Sequence, residues 1–209
     1  MKRAAIIVSL FLASSLASCA GTLNYPITLS YQPLKQYEKT GGVRVAVALL
    51  SDKRQVADKR VIGKDEESTP FISLLGEPAE ALSRGFASYL ENRGYTVGMT
   101  NEAWDGSLQS LNPSWGNIVI GGTLDDIALN VTGNLVRTEY RCSLKFTLCI
   151  GDAKSGELLH KEQFEVSSSY VTVAFSRGKA EELINSALSD AVERGLADIN
   201  KYIPGRQPL

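Results

Sequence analysis

Arg137-Thr138-Glu139-Tyr140-Arg141-Cys142-Ser143-Leu144-Lys145-Phe146-Thr147-Leu148-Cys149-Ile150 is the stretch that decides the fold. Within the run from Leu135 to Ile150, the residues Tyr140, Cys142, Leu144, Phe146, Leu148 and Ile150 share one side of an extended chain. Arg141, Ser143, Lys145, Thr147 and Cys149 share the other. Alternation this clean predicts a strand of an antiparallel sheet with one face buried and one wet.

Working outward, Thr132-Gly133-Asn134 and Gly151 to Gly156 read as hairpin loops on either side of it. The upstream strand, Asn117 to Val131, alternates in one phase through Ile118, Ile120 and Leu124 and in the other through Ile127, Leu129 and Val131. A bulge between Gly121 and Asp126 would account for the flip. The downstream strand, Leu158 to Tyr170, sets Phe164, Val166 and Tyr170 against Lys161, Gln163, Glu165 and Ser167. Before this meander lie an alternating strand, Val43 to Leu50, a helix from Pro78 to Arg93 stopped by Gly94, and a short strand at Tyr95-Thr96-Val97. Ser176 then offers an N-cap to a broad apolar helix reaching to about Tyr202. The expected architecture is α+β, in the order β-α-β-β-β-β-α: an antiparallel sheet, mixed at one edge, with both helices on its apolar face.

The beginning of the chain carries the functional signal. Met1-Lys2-Arg3, an apolar run from Ala4 to Ala13, and Leu16-Ala17-Ser18-Cys19 read as a secretion signal, too short for a permanent transmembrane helix. The last four residues are similar to the lipobox of bacterial lipoproteins. That likeness implies a diacylglycerol thioether on Cys19, removal of residues 1–18, with Leu16, Ala17 and Ser18 as the peptidase recognition residues, and acylation of the new amino terminus. Two or more acyl chains make such an anchor stable, at about 0.8 kcal/mol per buried CH₂. Ala20 and Gly21 follow the cysteine; in enteric lipoproteins, which this segment resembles, an Asp there would favour retention in the inner membrane, so the likeness implies the outer membrane.

Removing 18 residues from 209 leaves 191, enough for one domain and a tether. Residues 19–42, with Pro26, Pro33, Gly41 and Gly42, read as that tether, able to reach about 70 Å when stretched. The domain is expected over 43–203, and 204–209 as a tail. The formal charge of −1 becomes about −3 without Lys2 and Arg3, which argues against a nucleic-acid binder or a polybasic membrane surface. Cys142 and Cys149 differ by an odd number within one strand, so they point to opposite faces and stay unpaired.

Four features together resemble the YajG-like lipoproteins of Gram-negative bacteria. They are the lipobox at Cys19; a strand followed by Asp52-Lys53-Arg54 and later Val61-Ile62-Gly63; a helix running into Asn92-Arg93-Gly94-Tyr95-Thr96-Val97-Gly98; and the terminal hairpin with its amphipathic helix. The resemblance spans most of Val43 to Tyr202, with a longer loop from Ser51 to Glu77 here, and implies placement and fold rather than a reaction.

Among candidate sites, the repeated charge runs Asp52-Lys53-Arg54 and Asp58-Lys59-Arg60 stand out, with Arg60 to Lys64 as a small strand. Either Asp52, Arg54, Asp58 and Arg60 receive a charged partner, or the acids pair with their own bases in a solvated loop. The latter is the expectation, although so long a connection without secondary structure is unusual. His160, the single histidine, falls in the apolar phase of its strand, so a hydrogen-bonded, partly covered ring is expected rather than a base. No metal or cofactor is expected, because no second His or Cys shares its spacing. Asp125 and Asp126 are adjacent and make a poor acid/base pair. Trp104 and Trp115 are expected to cover the edge of the core. The wet face, with Arg141, Lys145, Lys161 and Glu165, is either an ordinary solvated sheet or a docking face.

The expected function is a non-enzymatic, lipid-anchored envelope lipoprotein facing the periplasm, acting on a protein partner as adaptor or assembly module. The alternative is an auxiliary lipoprotein of a lipid or solute ABC-type transporter, which would favour an apolar cavity between the helix at 78–93 and the sheet.

Overall fold

The computed structural model describes residues 23–37, 39, 43–134 and 136–203. The elements are β1 (Tyr25–Ile27), β2 (Arg44–Leu49), β3 (Ser51–Asp52), β4 (Val61–Asp65), β5 (Pro70–Ser73), α1 (Pro78–Asn92), β6 (Thr96–Ala103), β7 (Ile118–Asn134), β8 (Arg137–Asp152), β9 (Glu157–Thr172) and α2 (Arg177–Gly195). Among the described residues the class is α+β, with two helices on a nine-stranded mixed sheet.

β7 is the spine. β8 pairs with it antiparallel along its whole length, from Ile118 opposite Asp152 to Asn134 opposite Arg137, and β9 pairs antiparallel with β8. The other edge of β7 is divided. Its first part takes β2 and β3 in parallel, and its last part takes β4 in parallel. β6 extends the first wing, parallel to β2; β5 and β1 extend the second. The parallel β2–β6 pair needs a long crossover, which α1 provides.

The predicted phase flip is a bulge between Leu124 and Asp126. Gly122 makes the close approach there: its φ is +137°, and a Cβ would lie 1.8 Å from the carbonyl oxygen of Thr147. The predicted faces of β8 hold from Thr138 to Leu148, where buried and more open residues alternate. From Cys149 to Gly151 both faces are covered, contrary to the expectation of one wet face throughout. The cause is Trp104, which lies fully buried over Ala46, Ala48, Val119 and Cys149 as a second small core. Gly121 and Gly151 make room for its ring, since a Cβ at either would lie within 3 Å of Trp104.

The main core lies between the other face and both helices. Leu82, Phe86 and Leu90 of α1 and Ile184, Ala187, Leu188 and Val192 of α2 are buried against Leu144, Phe146 and Leu148. Burying each of the larger side chains contributes about 1.5–3 kcal/mol. The helices cross at Gly85, where a Cβ would meet Val192 at 2.9 Å. Pro78 opens α1 as expected, and Gly94, at φ +84°, follows its end. α2 stops at Gly195, short of Tyr202, and a 3₁₀ turn over Ile199–Tyr202 continues the chain.

Two expectations need correction. The connection from Ser51 to Glu77 is not without secondary structure, because β3, β4 and β5 lie in it; only the strand near 60–64 was legible. The ordered domain also begins before Val43: Tyr25–Ile27 is a strand, and Ile27 and Leu29 are buried. Residues 25–34 of the expected tether are thereby held against the domain.

Candidate functional site

The site is built around the segment that leads from the amino terminus into the fold. Cys19, Leu16, Ala17 and Ser18 lie outside the described residues. After β1 the chain runs extended along α2, and its backbone is bound by helix side chains at regular intervals. The amides of Thr28, Ser30, Gln32 and Leu34 donate to Glu181 Oε2, Asn185 Oδ1, Ser189 Oγ and Glu193 Oε1, at 3.1, 2.9, 2.9 and 3.4 Å. Asn185 Nδ2 also donates to the Thr28 carbonyl at 2.9 Å, and the Tyr31 hydroxyl to Glu193 at 2.8 Å.

The spacing has a geometric cause. Four residues of helix advance about 6 Å, and two residues of extended chain advance about 6.6 Å. A polar residue at every fourth helical position therefore meets every second amide of the strap. Sequence reasoning missed this strap. The available signals were the alternation Tyr25, Ile27, Leu29, Tyr31 and the polar row Glu181, Asn185, Ser189, Glu193 on an otherwise apolar helix.

The charged loop is organised from within. Arg54 and Asp52 are a buried pair, their side chains 3% and 5% exposed, with Arg54 Nη2 at 2.6 Å from Asp52 Oδ2. Arg54 also donates to the carbonyls of Val61 and Lys59, and Lys59 Nζ donates to the Arg54 carbonyl. Burial alone would raise the Asp52 pKa, but the side-chain and backbone hydrogen bonds and the charge of Arg54 outweigh it and hold it low. Asp52 and Arg54 are thus engaged in closing the loop and cannot meet a partner without opening it. Asp58 and Arg60 are exposed and pair with each other at 2.9 Å. The acids pair with their own bases.

The remaining candidates are also engaged. His160 stacks on Tyr202, with Nδ1 at 3.0 Å from its hydroxyl and Nε2 at 3.2 Å from Glu162. Asp125, the extra residue of the bulge, accepts from Thr123, Thr147 and Gln163 at 2.6, 2.8 and 3.1 Å, while Asp126 is exposed. Cys142 and Cys149 are free and buried, one in each core, on opposite faces as expected. Burial pushes the Cys142 thiol up to about 12 and the Cys149 thiol upward, so neither offers a thiolate. On the more open face Lys145 sits opposite Glu165, and Arg141 pairs with Glu139 at 2.9 Å. Trp104 is the expected cover, over the second face; Trp115 packs half-buried beside it.

An open cleft of about 630 Å³ lies where the strap enters the sheet, between Tyr25, Asp65, Glu67, Asn134, Val173 and Phe175. No helix among the described residues is long and apolar enough to cross a membrane.

No family model matches the chain, and no curated protein matches it in sequence. Solved structures are similar to it. Protein XCC0632 from Xanthomonas campestris, of family DUF330, superposes with a TM-score of 0.51 at 10% identity, over 84% of this chain and 94% of that one. A neuraminyllactose-binding hemagglutinin homologue from Helicobacter pylori gives 0.40 at 14% identity, over 84% and 93%. PelC from Paraburkholderia phytofirmans, a dodecamer, gives 0.32 at 15% identity, over 77% and 92%. The likeness to the Xanthomonas protein shows a shared fold.

Proposed function

We propose that this chain is a lipid-anchored envelope lipoprotein that works by contact rather than catalysis. In this reading Cys19 carries the lipid, the inner leaflet of the outer membrane holds it, and the domain faces the periplasm to engage a protein partner. The observation that carries the proposal is the lipobox Leu16-Ala17-Ser18-Cys19 set directly before a folded domain. Tyr25 lies six positions after Cys19, a reach of at most about 21 Å, so a lipid there keeps the domain at the membrane surface. The resemblance to YajG-like lipoproteins supports the same placement.

Two features of the site support contact over catalysis or transport. Asp52, Asp125 and His160 are each engaged with neighbours in the chain. The space between α1 and the sheet, where an auxiliary transport protein would hold a lipid, is occupied by Leu82, Phe86 and Leu90, all fully buried. The experiment is crosslinking in intact envelopes with the full chain and with Cys19→Ala. The proposal expects a specific protein partner crosslinked to the full chain, and a Cys19→Ala chain that is unprocessed and no longer anchored. A Cys19→Ala chain still cleaved and membrane-bound would overturn it.

A further inference from the structure

Five of the apolar side chains left in solvent, including the three most exposed, lie together at the end of the sheet where the chain enters; others, such as Leu74 and Leu75 after β5, lie elsewhere. Leu23, Val136 and Val173 are 69%, 75% and 73% exposed, and Val171 and Phe175 are also open. The topology brings them together. Val136 is in the β7–β8 turn; Thr172, just before Val173, pairs with Thr138 just after it; and Leu23 precedes Tyr25 by two residues. Tyr25 and Phe175 are in ring contact at 4.9 Å, and both line the entry cleft with Asn134 and Val173.

We infer that this end of the domain is a membrane-apposed face that rests on a zwitterionic phospholipid surface of the phosphatidylethanolamine type. The inference rests on the anchor proposed above. Cys19 lies four residues before Leu23, so a lipid on it brings the bilayer to this end of the molecule and to no other. Apolar side chains on turns, set among polar groups, suit partition into the headgroup boundary. The charge at the face selects the headgroup. Asp65, Glu66 and Glu67 line the cleft; Asp65 Oδ1 accepts from the Thr69 amide at 2.7 Å and Glu66 Oε2 from the Gly133 amide at 2.9 Å. Arg137, exposed beside Val136, adds a positive charge at the same end, so the carboxylates meet the ammonium and the guanidinium the phosphate of a zwitterionic headgroup, a pairing that an anionic headgroup without an ammonium leaves incomplete.

The test uses the full chain processed in Gram-negative cells, with a nitroxide on Val136→Cys, on Val173→Cys, or on Ser155→Cys. Ser155 is exposed in the β8–β9 turn, about 50 Å along β8 from the entry end. Cys142 and Cys149 are buried and do not compete for label. Purified lipidated protein is placed in phosphatidylethanolamine vesicles, and collisions with oxygen and with a water-soluble nickel chelate are measured. The expected result is a several-fold higher oxygen-to-nickel ratio at 136 and 173 than at 155, falling when phosphatidylglycerol replaces much of the lipid. Equal, water-like ratios at all three positions in protein shown by mass to be lipidated would overturn this inference alone. Lipid contact unchanged in anionic vesicles would overturn the headgroup assignment, and a chain shown to carry no lipid would overturn the anchor and this face together.

Discussion

Replacing Asn185 with alanine removes both hydrogen bonds by which one side chain of α2 holds the strap, from the Ser30 amide at 2.9 Å and to the Thr28 carbonyl at 2.9 Å. A buried group left without its partner costs about 1–3 kcal/mol, and at about 1.4 kcal/mol per tenfold this is about a 5- to 150-fold change in opening. Ile27 and Leu29 stay buried without Asn185, so the strap should open locally rather than detach. Hydrogen exchange resolved by residue measures this directly. The Ser30 amide should exchange faster by that factor, Gln32 by less because Ser189 still accepts from it, and Leu144 in the middle of β8 not at all. Asn185→Asp keeps an acceptor for Ser30 and loses only the donor to Thr28, so its Ser30 amide should stay closer to the parent rate. A Ser30 amide that exchanges as fast as an unstructured chain in the parent, or at the same rate in the alanine variant, would refute the ladder.

Substitutions at Arg54, Trp104 and Gly122 test the packing. Arg54→Met removes the buried partner of the Asp52 carboxylate and leaves it only Lys59 Nζ at 3.4 Å, so the loss in urea unfolding at pH 7 should approach about 3 kcal/mol; a loss below about 1 kcal/mol would mean the pair behaves as a surface bridge. Because Arg54 holds the Asp52 pKa below its unfolded value near 3.9, the parent has the pair's full contribution above about pH 4 and loses it as pH falls through the lower folded value. Arg54→Met should lack that acid-side loss. Trp104→Ala should cost about 3–5 kcal/mol and open Cys149 to a disulfide reagent while Cys142 stays protected; equal reactivity of the two thiols would contradict the second core. Gly122→Ala should cost more than about 3 kcal/mol from backbone strain and the clash with Thr147, whereas Gly98→Ala, which meets nothing within 4 Å, should stay within about 0.5 kcal/mol; similar melting temperatures for the two would refute the close approach.

The meander was legible because a two-residue period is written into β8, and a change of phase in β7 can arise only from an extra residue such as Asp125. The opposite placement of Cys142 and Cys149 follows from the same period. The parallel wings were not legible: which strand lies beside β7 is decided by the α1 crossover and not by any local pattern. The second core was hidden because its sheet side is made of small residues, Ala46, Ala48, Gly121 and Gly151, whose alternation carries little hydrophobic signal until Trp104 lies over them. The strap was obscured by Pro26 and Pro33, which look like linker composition but fit a chain whose amides at 28, 30, 32 and 34 bond to helix side chains rather than to a neighbouring strand. In the charged loop the residue types were evident, but their inward turn was not. Only the three-dimensional closure of 52–61 shows Arg54 donating to two carbonyls inside its own loop.

Mass spectrometry of the amino-terminal peptide from envelope-purified protein tests the anchor most directly. The account predicts a chain beginning at Cys19, heavier by a diacylglyceryl group and an amide-linked acyl chain. An unmodified peptide running upstream through Ser18, Ala17 and Leu16 to Met1 would contradict it.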